Sequence, residues 1–418
     1  MKILHLNYYD INGGAAIAMH RLHTLLKKNN MNSKILVFSK KITSDDIIQV
    51  SNKINIFSNY IKRKISFKLT KFQKIYSKST HSLNIFNSGL VNKIEKLNPD
   101  ILHLHWINNE LISIKEIGKI KIPIVWTFYD MWPFCGAEHY TFEKRHITGY
   151  NNFNKPLENK GLDLNKVIWQ KKNNYWKNNK FNIVCLSSWL SKEAKKSYLF
   201  KNNEIITIPP PIDFSNWMDI NKHEARVKLG LNKNKKYFLF GAANGTFDKR
   251  KGFDIISDIL NKKLKHDKSI EIILFGGSNK YDLKDISLPI NDFGSIDFNN
   301  FEKLRLLYSA ADLTLLPSKL EAFGQVGLES LACKTPVISF KDTGPEDFIE
   351  HKKNGYLANY MDKDDFFEGI KWYLNLNLDQ IQKVNNFARE FVINKFNENN
   401  IFENYFHTYK KLINSNKN

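Results

Sequence analysis

Apolar positions in this chain fall into short, nearly continuous runs, joined by longer stretches in which they recur at helical spacing. The runs Lys2–Asn7, Lys34–Phe38, Asp100–His105, Ile122–Phe128 and Phe181–Leu186 read as strands. In the second half Tyr237–Gly241, Ile270–Gly277, Asp312–Ser318 and Thr335–Phe340 repeat the pattern, and Asn354–Leu357 reads as a turn and a short extended piece. After the first run, the glycine turn at Asn12–Ala16 leads into a helix from Ile17 to Lys28, with Met19, Leu22, Leu25 and Leu26 near one face. Ser187 and Ser188 supply a helix cap after the fifth run. Strands alternating with helices in two successive halves predict an α/β protein of two Rossmann-like, doubly wound domains with substrates held in a cleft between them. Three prolines in Ile206–Asp213 mark the linker. The expected domains are residues 1–208 and 209–395, followed by a closing helix, 396–418. The tail reads as helical, with Phe391, Phe396, Phe402, Tyr405 and Tyr409 spaced for packing.

Composition narrows the class. A chain of 418 residues, 42% hydrophobic and 13% aromatic, is long enough for two cores and is not a disordered protein. No apolar run approaches the ~20 residues that span a bilayer, and the N-terminus lacks a signal-peptide pattern, so a cytoplasmic location is expected. Cys135, Cys185 and Cys333 lie far apart without metal-ligand spacing and read as reduced core residues. Part of the net charge of +21 lies in one stretch: from Ile47 to Ile94 there is no Asp or Glu. Within that stretch Phe57, Ile61, Ile65, Leu69, Phe72 and Tyr76 recur every three or four positions among lysines. Two readings stand: a basic amphipathic helix over residues 53–78 lying on the anionic inner face of the plasma membrane, or a helix whose apolar face belongs to the core. Nucleic acid is not expected, because no recognised binding motif accompanies the charge.

Candidate chemistry centres on Glu321 and Glu329, eight positions apart, with a Gly-bearing turn between strand and helix. The N–H groups of Phe323, Gly324, Gln325 and Val326 would open the helix and form an anion site with a carboxylate on either side. That suits a sugar diphosphate, with amides on the phosphates and carboxylates on sugar hydroxyls. Gly13 and Gly14 follow the first strand and let the backbone approach an anion. The segment Val125–Tyr140 is rich in aromatics, and Trp132, Asp130, Glu138 and His139 suit an acceptor sugar, with a hydrophobic loop packing on the domain interface as the alternative for Trp132, Pro133 and Phe134. His103 and His105 are read as pointing to opposite faces of their strand, with His105 and Trp106 toward the cleft and a metal pair excluded. Asp362 and Asp364 are read as a helix start, and no metal site is expected.

The order of these segments resembles the donor-binding half of the retaining glycosyltransferases of family 4, which adopt the GT-B fold. The likeness runs through Tyr237–Gly241, Lys249–Asp254, Ile270–Gly277, Asn291–Ile296 (the loop expected near the nucleobase), the Glu321/Glu329 pair and Asn354–Leu357. It implies that Glu329 holds ribose hydroxyls and Glu321 the donor sugar. Lys251, the helix-start amides and Gly13 with Gly14 would meet the diphosphate, with Arg250 as a second cation. It also implies that the closing helix crosses back to the first domain, and that neither cofactor nor metal is needed beyond a nucleoside-diphosphate-sugar donor. The Val125–Tyr140 segment is similar to a subgroup associated with bacterial surface polysaccharide of the colanic acid or lipopolysaccharide type, whose pattern is Thr-x-His-Asp-Met-Trp-Pro-Phe.

Two positions depart from the family. Tyr129 occupies the place of the histidine near the reacting centre, so that Tyr129 either keeps a hydrogen bond there or marks altered activity. Gly241 is followed by Ala242 and Ala243, without the usual arginine. The expected function is retaining transfer of a hexose-type sugar to a glycan or lipid-linked acceptor, with Glu321, Lys251 and Tyr129 as the catalytic candidates. A non-catalytic sugar-nucleotide-binding or scaffolding member, a sugar-nucleotide epimerase of related fold and a basic nucleic-acid-binding protein are the alternatives.

Overall fold

The computed structural model describes residues 1–50, 53–73, 80–242, 245–277, 283, 286–297 and 300–415, with side chains from residue 56 onward in the helix that begins at Lys53. Two compact units emerge, Met1–Ile212 with Glu398–Asn418, and Asp213–Asn397.

The first unit is built on a parallel sheet in the order β3-β2-β1-β4-β5-β6-β7. Its strands are β1 (Lys2–Tyr9), β2 (Asn32–Ser39), β3 (Ile47–Gln49), β4 (Ile101–Leu104), β5 (Ile124–Phe128), β6 (Asn182–Cys185) and β7 (Glu204–Thr207). Leu6 of β1 pairs with Leu36 on one side and Leu104 on the other, so strand order reverses at β1 and β4. In open parallel sheets a ligand crevice lies beyond the carboxyl ends of strands at such a reversal. The helices are α1 (Gly14–Lys28), α2 (Lys53–Thr70), α3 (Leu90–Leu97), α4 (Ile114–Ile117), α5 (Arg145–Thr148), α6 (Leu164–Trp176) and α7 (Ser188–Lys196). Sequence signals place their starts: Ser187 accepts from Leu190 N–H at α7, and Ser113 with Glu116 forms a reciprocal capping box at α4.

Helix α2 docks in an unusual orientation. Asn59, Ser66 and Gln73, seven positions apart, are buried, while Phe57 (65% exposed), Tyr60 and Phe67 face outward. Asn59 accepts from the Tyr8 hydroxyl at 3.1 Å and donates to the carbonyls of Asn109 and Glu110, and the Ser66 hydroxyl donates to Glu110 at 2.6 Å. Glu110 is fixed from behind by the N–H groups of Asn84, Ile85 and Phe86. The inward face of α2 is therefore polar. Of the two sequence readings of this helix, the one that puts its apolar face into the core is overturned at Phe57, Ile61, Ile65 and Phe72, all exposed; Tyr76 lies outside the described residues.

The second unit holds the parallel sheet β10-β9-β8-β11-β12-β13, formed by β8 (Lys236–Gly241), β9 (Ile270–Phe275), β10 (Ile290–Asp292), β11 (Leu313–Leu316), β12 (Val337–Phe340) and β13 (Gly355–Ala358). Its helices are α8 (Lys222–Lys228), α9 (Phe253–Ile259), α10 (Phe301–Ala310), α11 (Gln325–Ala332), α12 (Lys363–Leu374) and α13 (Leu378–Lys395). Phe238, Phe240, Ile272, Leu274, Leu313, Leu315, Ile338 and Phe340 form its core with Ile256, Leu260, Phe366 and Ile370 from the helices. Strand order reverses between β8 and β11; Lys251 and Glu321 lie in the loops that follow those two strands, and Glu329 lies in α11. Asp362 caps α12 by accepting from the N–H groups of Asp364 and Asp365, both at 3.0 Å.

The chain closes with α14 (Glu398–Ser415), a helix of the first unit, whose Ile401, Tyr405, Tyr409 and Leu412 pack against Ile3, Leu22, Leu26, Ile101, Val125 and Val184. The boundaries fall at Ile212 and Asn397, a few residues beyond those expected from the prolines and the tail pattern. The short edge strands β3, β7 and β10 were not expected. Asn291 and Asp292, read from sequence as loop, end β10 and pair with Ile273 and Leu274.

Candidate functional site

In the second unit, Glu321 sits in the loop after β11, and Lys251 ends a short 3-10 turn (Lys249–Lys251) after β8. Gly252 makes this approach possible: its φ is +76°, and a Cβ there would stand 2.0 Å from the Pro317 carbonyl oxygen. The Lys251 ammonium bonds directly to Glu321 Oε2, the Ser318 hydroxyl donates to the same oxygen at 3.2 Å, and an Arg250 Nη lies 3.7 Å away. Arg250 also donates to Asp248 at 2.9 Å and to the Leu320 carbonyl at 2.7 Å. Burial alone would raise the Glu321 carboxyl, but Lys251 and then Arg250, with the hydrogen bonds from Lys251 and Ser318, hold it below the ordinary carboxylate range. Burial is the largest influence on Lys251 and lowers its ammonium, with Glu321 opposing. The pair is therefore ionised and water-poor, the state in which a charge is most sensitive to an incoming anion.

Gly324, at φ +91°, is the N-cap of α11, so Gln325 and Val326 are its first residues and stand at the positive end of the helix dipole. Phe323 lies before the cap and is buried against Phe348 and Phe396, a core role that the sequence reading, which placed it at the helix start, did not give it. Glu329, one turn further along α11, is buried and accepts from the Tyr308 hydroxyl at 3.1 Å. Asp248, Ser318 and Tyr308 were not singled out from sequence. Ser318, three residues before Glu321, carried a local signal; the Tyr308 contact joins two helices and carried none. Ala243 and Asn244, in the stretch that lacks the family arginine, lie outside the described residues.

A second constellation occupies the carboxyl edge of β4 and β5 in the first unit. His139 Nδ1 lies 2.7 Å from Asp130 Oδ2, and its Nε2 lies 2.8 Å from the Ser82 hydroxyl. Trp106 donates its indole N–H to the same Asp130 oxygen at 3.2 Å and leans on the His139 ring at 5.7 Å. The structure thus brings Trp106, Asp130 and His139 together. Trp132 and Glu138 turn away from solvent: Trp132 donates to the Ser82 carbonyl, and Glu138 accepts from the buried Tyr150 hydroxyl. Neither offers a surface to a sugar here, and for Trp132 this is the packing reading. Gly13 (φ +90°) and Gly14 open α1, and a Cβ at either would meet nothing within 4 Å.

The histidines correct the sequence reading. Residues two apart on a strand share a face, and the rings of His103 and His105 stack at 4.1 Å. His5, on the neighbouring strand, joins them, and the three offer ring nitrogens within 4.8 Å of one another. Each ring nitrogen already has a partner. His5 contacts His105 (2.9 Å) and Ser33 (3.1 Å); His103 contacts Tyr409 and Thr127 (2.8 Å each); His105 reaches the Tyr129 hydroxyl at 2.9 Å. The three imidazoles thus form a hydrogen-bond chain with Ser33, Thr127, Tyr129 and Tyr409. Burial pushes all three imidazoles down, His103 to about 3, and raises the Tyr129 phenol, which stays neutral. His105 is thus buried behind Tyr129 rather than presented to an acceptor.

Comparison with known proteins locates the second unit. Residues 221–391 match the family described as "Glycosyl transferases group 1". An uncharacterized glycosyltransferase of Methanocaldococcus jannaschii is 27% identical over 188 residues, which is 44% of this chain and 47% of that protein. The chain spans about half the length of the curated relatives it matches. Two solved structures share the fold over nearly the whole chain: Anabaena HepE in complex with UDP and glucose (TM-score 0.65, 15% identity, 98% of this chain and 100% of that one), and WaaG, a glycosyltransferase involved in lipopolysaccharide biosynthesis (TM-score 0.62, 15% identity, 93% and 95%). Two parallel-sheet, Rossmann-like units are the make-up of GT-B glycosyltransferase structures.

Proposed function

We propose that the protein is a glycosyltransferase of family 4 type that moves a hexose or related sugar from a nucleoside diphosphate to a hydroxyl of a glycan or lipid-linked acceptor, with retention, in bacterial surface polysaccharide synthesis. The observation that carries this is the Lys251–Glu321–Arg250 cluster, set in the loops after β8 and β11 beside the start of α11. When donor binds, Lys251 and Arg250 exchange carboxylate for diphosphate oxygens, joined by the N–H groups of Gln325 and Val326. Glu321, released from Lys251, turns its oxygens to the sugar hydroxyls, and Glu329 takes those of the ribose. Stabilising the charge of the leaving diphosphate is the main catalytic contribution in this scheme, and protein cations supply it without a metal. Trp106, Asp130 and His139 are the acceptor-side candidates, with His139 held by Asp130 in one orientation. An anionic membrane surface is the proposed partner of α2, whose apolar side chains face outward among Lys62, Arg63, Lys64 and Lys68.

The test is release of nucleoside diphosphate from UDP-, GDP- and ADP-sugars by the purified protein with EDTA present, with and without membrane lipid, beside Glu321→Ala. Release from one donor that survives EDTA and disappears in Glu321→Ala is expected. Absence of release from every donor, with donor binding intact by calorimetry, would replace this reading by a non-catalytic member. One observation favours that second reading: Tyr129, in the place of the family histidine, is a neutral phenol tied to His105. Recovery of turnover by Tyr129→His would then identify the lost group.

A further inference from the structure

A second group of outward apolar side chains lies about eighty residues after α2 in sequence, in a segment whose end meets the turn that follows that helix. Phe153 is 101% exposed, Leu157 93% and Leu162 61%. The turn that carries Phe153 is fixed by its own hydrogen bonds. Asn151 Oδ1 accepts from the N–H groups of Phe153 (2.9 Å) and Asn154 (3.0 Å). Asn154 returns the contact to Asn151 N–H at 3.0 Å and accepts from Arg145 Nε at 3.0 Å. Arg145 is in turn paired with Asp163 at 2.6 Å. The segment is pinned to the turn that follows α2, where Leu162 N–H donates to the Phe72 carbonyl at 3.1 Å. At Gly161 a Cβ would stand 2.3 Å from that same oxygen. The backbones of Leu162 and Phe72, two residues with exposed side chains, are therefore neighbours, and the end of the 151–162 segment adjoins the turn that follows α2.

We infer that residues 151–162 form a preformed apolar wedge that enters an anionic lipid surface together with α2, with Phe153 and Leu157 as the inserting side chains. The inference rests on the membrane reading of α2 and extends it to a second, independent element. Charge selects the occupant. Lys64, Lys68 and Lys71 are exposed on the α2 side, while Lys62 donates to the Asn87 carbonyl and Arg63 to the Tyr8 hydroxyl; there is no acidic residue between Ile47 and Ile94, and Lys155 and Lys160 stand against the single Glu158 on the wedge. Apolar tips projecting from a basic surround match a bilayer with anionic headgroups, where tips reach the acyl boundary and cations stay at the phosphates. An interface between two copies of this chain would instead bring like charges together.

Because the three native cysteines are buried, a cysteine introduced at one surface position accepts an environment-sensitive fluorophore selectively. Two labelled proteins, Phe153→Cys and Phe57→Cys, are mixed with vesicles of phosphatidylcholine alone or with added phosphatidylglycerol, and the unlabelled double variant Phe153→Ser/Leu157→Ser is compared with the parent in vesicle flotation. Both labels are expected to shift to the blue only with the anionic vesicles, and the double variant to lose about tenfold or more of its vesicle affinity, since full burial of each such side chain is worth ~1.5–3 kcal/mol. A blue shift at position 57 with none at 153 overturns the wedge and leaves the α2 reading standing. No shift at either position overturns both. A shift at 153 that depends on protein concentration without vesicles overturns the wedge in favour of self-association. Unchanged unfolding of the double variant in urea shows that lost affinity is not lost fold.

Discussion

Lys251 and Glu321 form a pair in which each residue is tolerable only because of the other. Removing the cation leaves a buried carboxylate facing the weaker, shared charge of Arg250, so Lys251→Met is expected to cost ~3 kcal/mol of stability, with Lys251→Met/Glu321→Gln costing less, as read by urea denaturation of the three proteins. The pH dependence has a definite sign. The folded Glu321 carboxyl lies below its unfolded value, so its contribution is complete above that unfolded value and is lost as pH falls through the folded one. The buried histidines act at higher pH. His5, His23, His103 and His105 are neutral in the fold but take up protons in the unfolded chain below ~6.5, so the unfolded state gains protons first. Stability is therefore expected to fall from about pH 6.5 downward, continuing toward 4 for His23 and 3 for His103, and His103→Asn should flatten the urea midpoint between pH 7.5 and pH 5.5. The carboxylate pair and its lysine were legible in sequence because each sits at a fixed distance from a strand end. The histidine stack was open to a correct reading from the period-two rule, misapplied there, yet its third member, His5, comes from a strand almost a hundred residues away.

At the scale of elements, the central strands were readable because a parallel strand covered on both faces is apolar throughout its length. The edge strands β3, β7 and β10, three or four residues each with an exposed or half-buried position, leave no such trace. Helix α2 shows a different limit. Periodicity says which residues share a face, but not which face turns inward. Here the inward face is set by Tyr8 and Glu110, which offer polar atoms to Asn59 and Ser66. The inverted docking makes an expectation opposite to that for an ordinary amphipathic helix: Asn59→Ala should destabilise the fold by ~1–3 kcal/mol through the groups it leaves unpaired. Phe57→Ser and Ile65→Ser should each change stability by less than ~0.5 kcal/mol, as surface substitutions do. Thermal unfolding of the three variants separates the two cases, and higher solubility of the serine variants would accompany them.

Across the whole molecule, the division into two α/β units was legible from the alternation of strands and helices and from the prolines near residue 210. The discontinuity of the first unit was expected only through resemblance, because nothing in the spacing of Ile401, Tyr405 and Tyr409 says which core receives them. In the structure Tyr409 reaches His103, more than three hundred residues earlier, at 2.8 Å. A chain ending at Asn397 is therefore expected to lose cooperative unfolding in its first unit, whereas the fragment Asp213–Asn397 unfolds in a single transition; circular dichroism melts of the two fragments check this. During synthesis the same arrangement reverses the usual order of domain maturation. The strands and helices of the first unit must wait for α14 before their core is closed, while the internal unit has everything it needs as soon as it has emerged. Until α14 has been made, a nascent chain carries a finished second unit and a first unit whose β1 and β4 lack the cover of Ile401, Tyr405 and Tyr409.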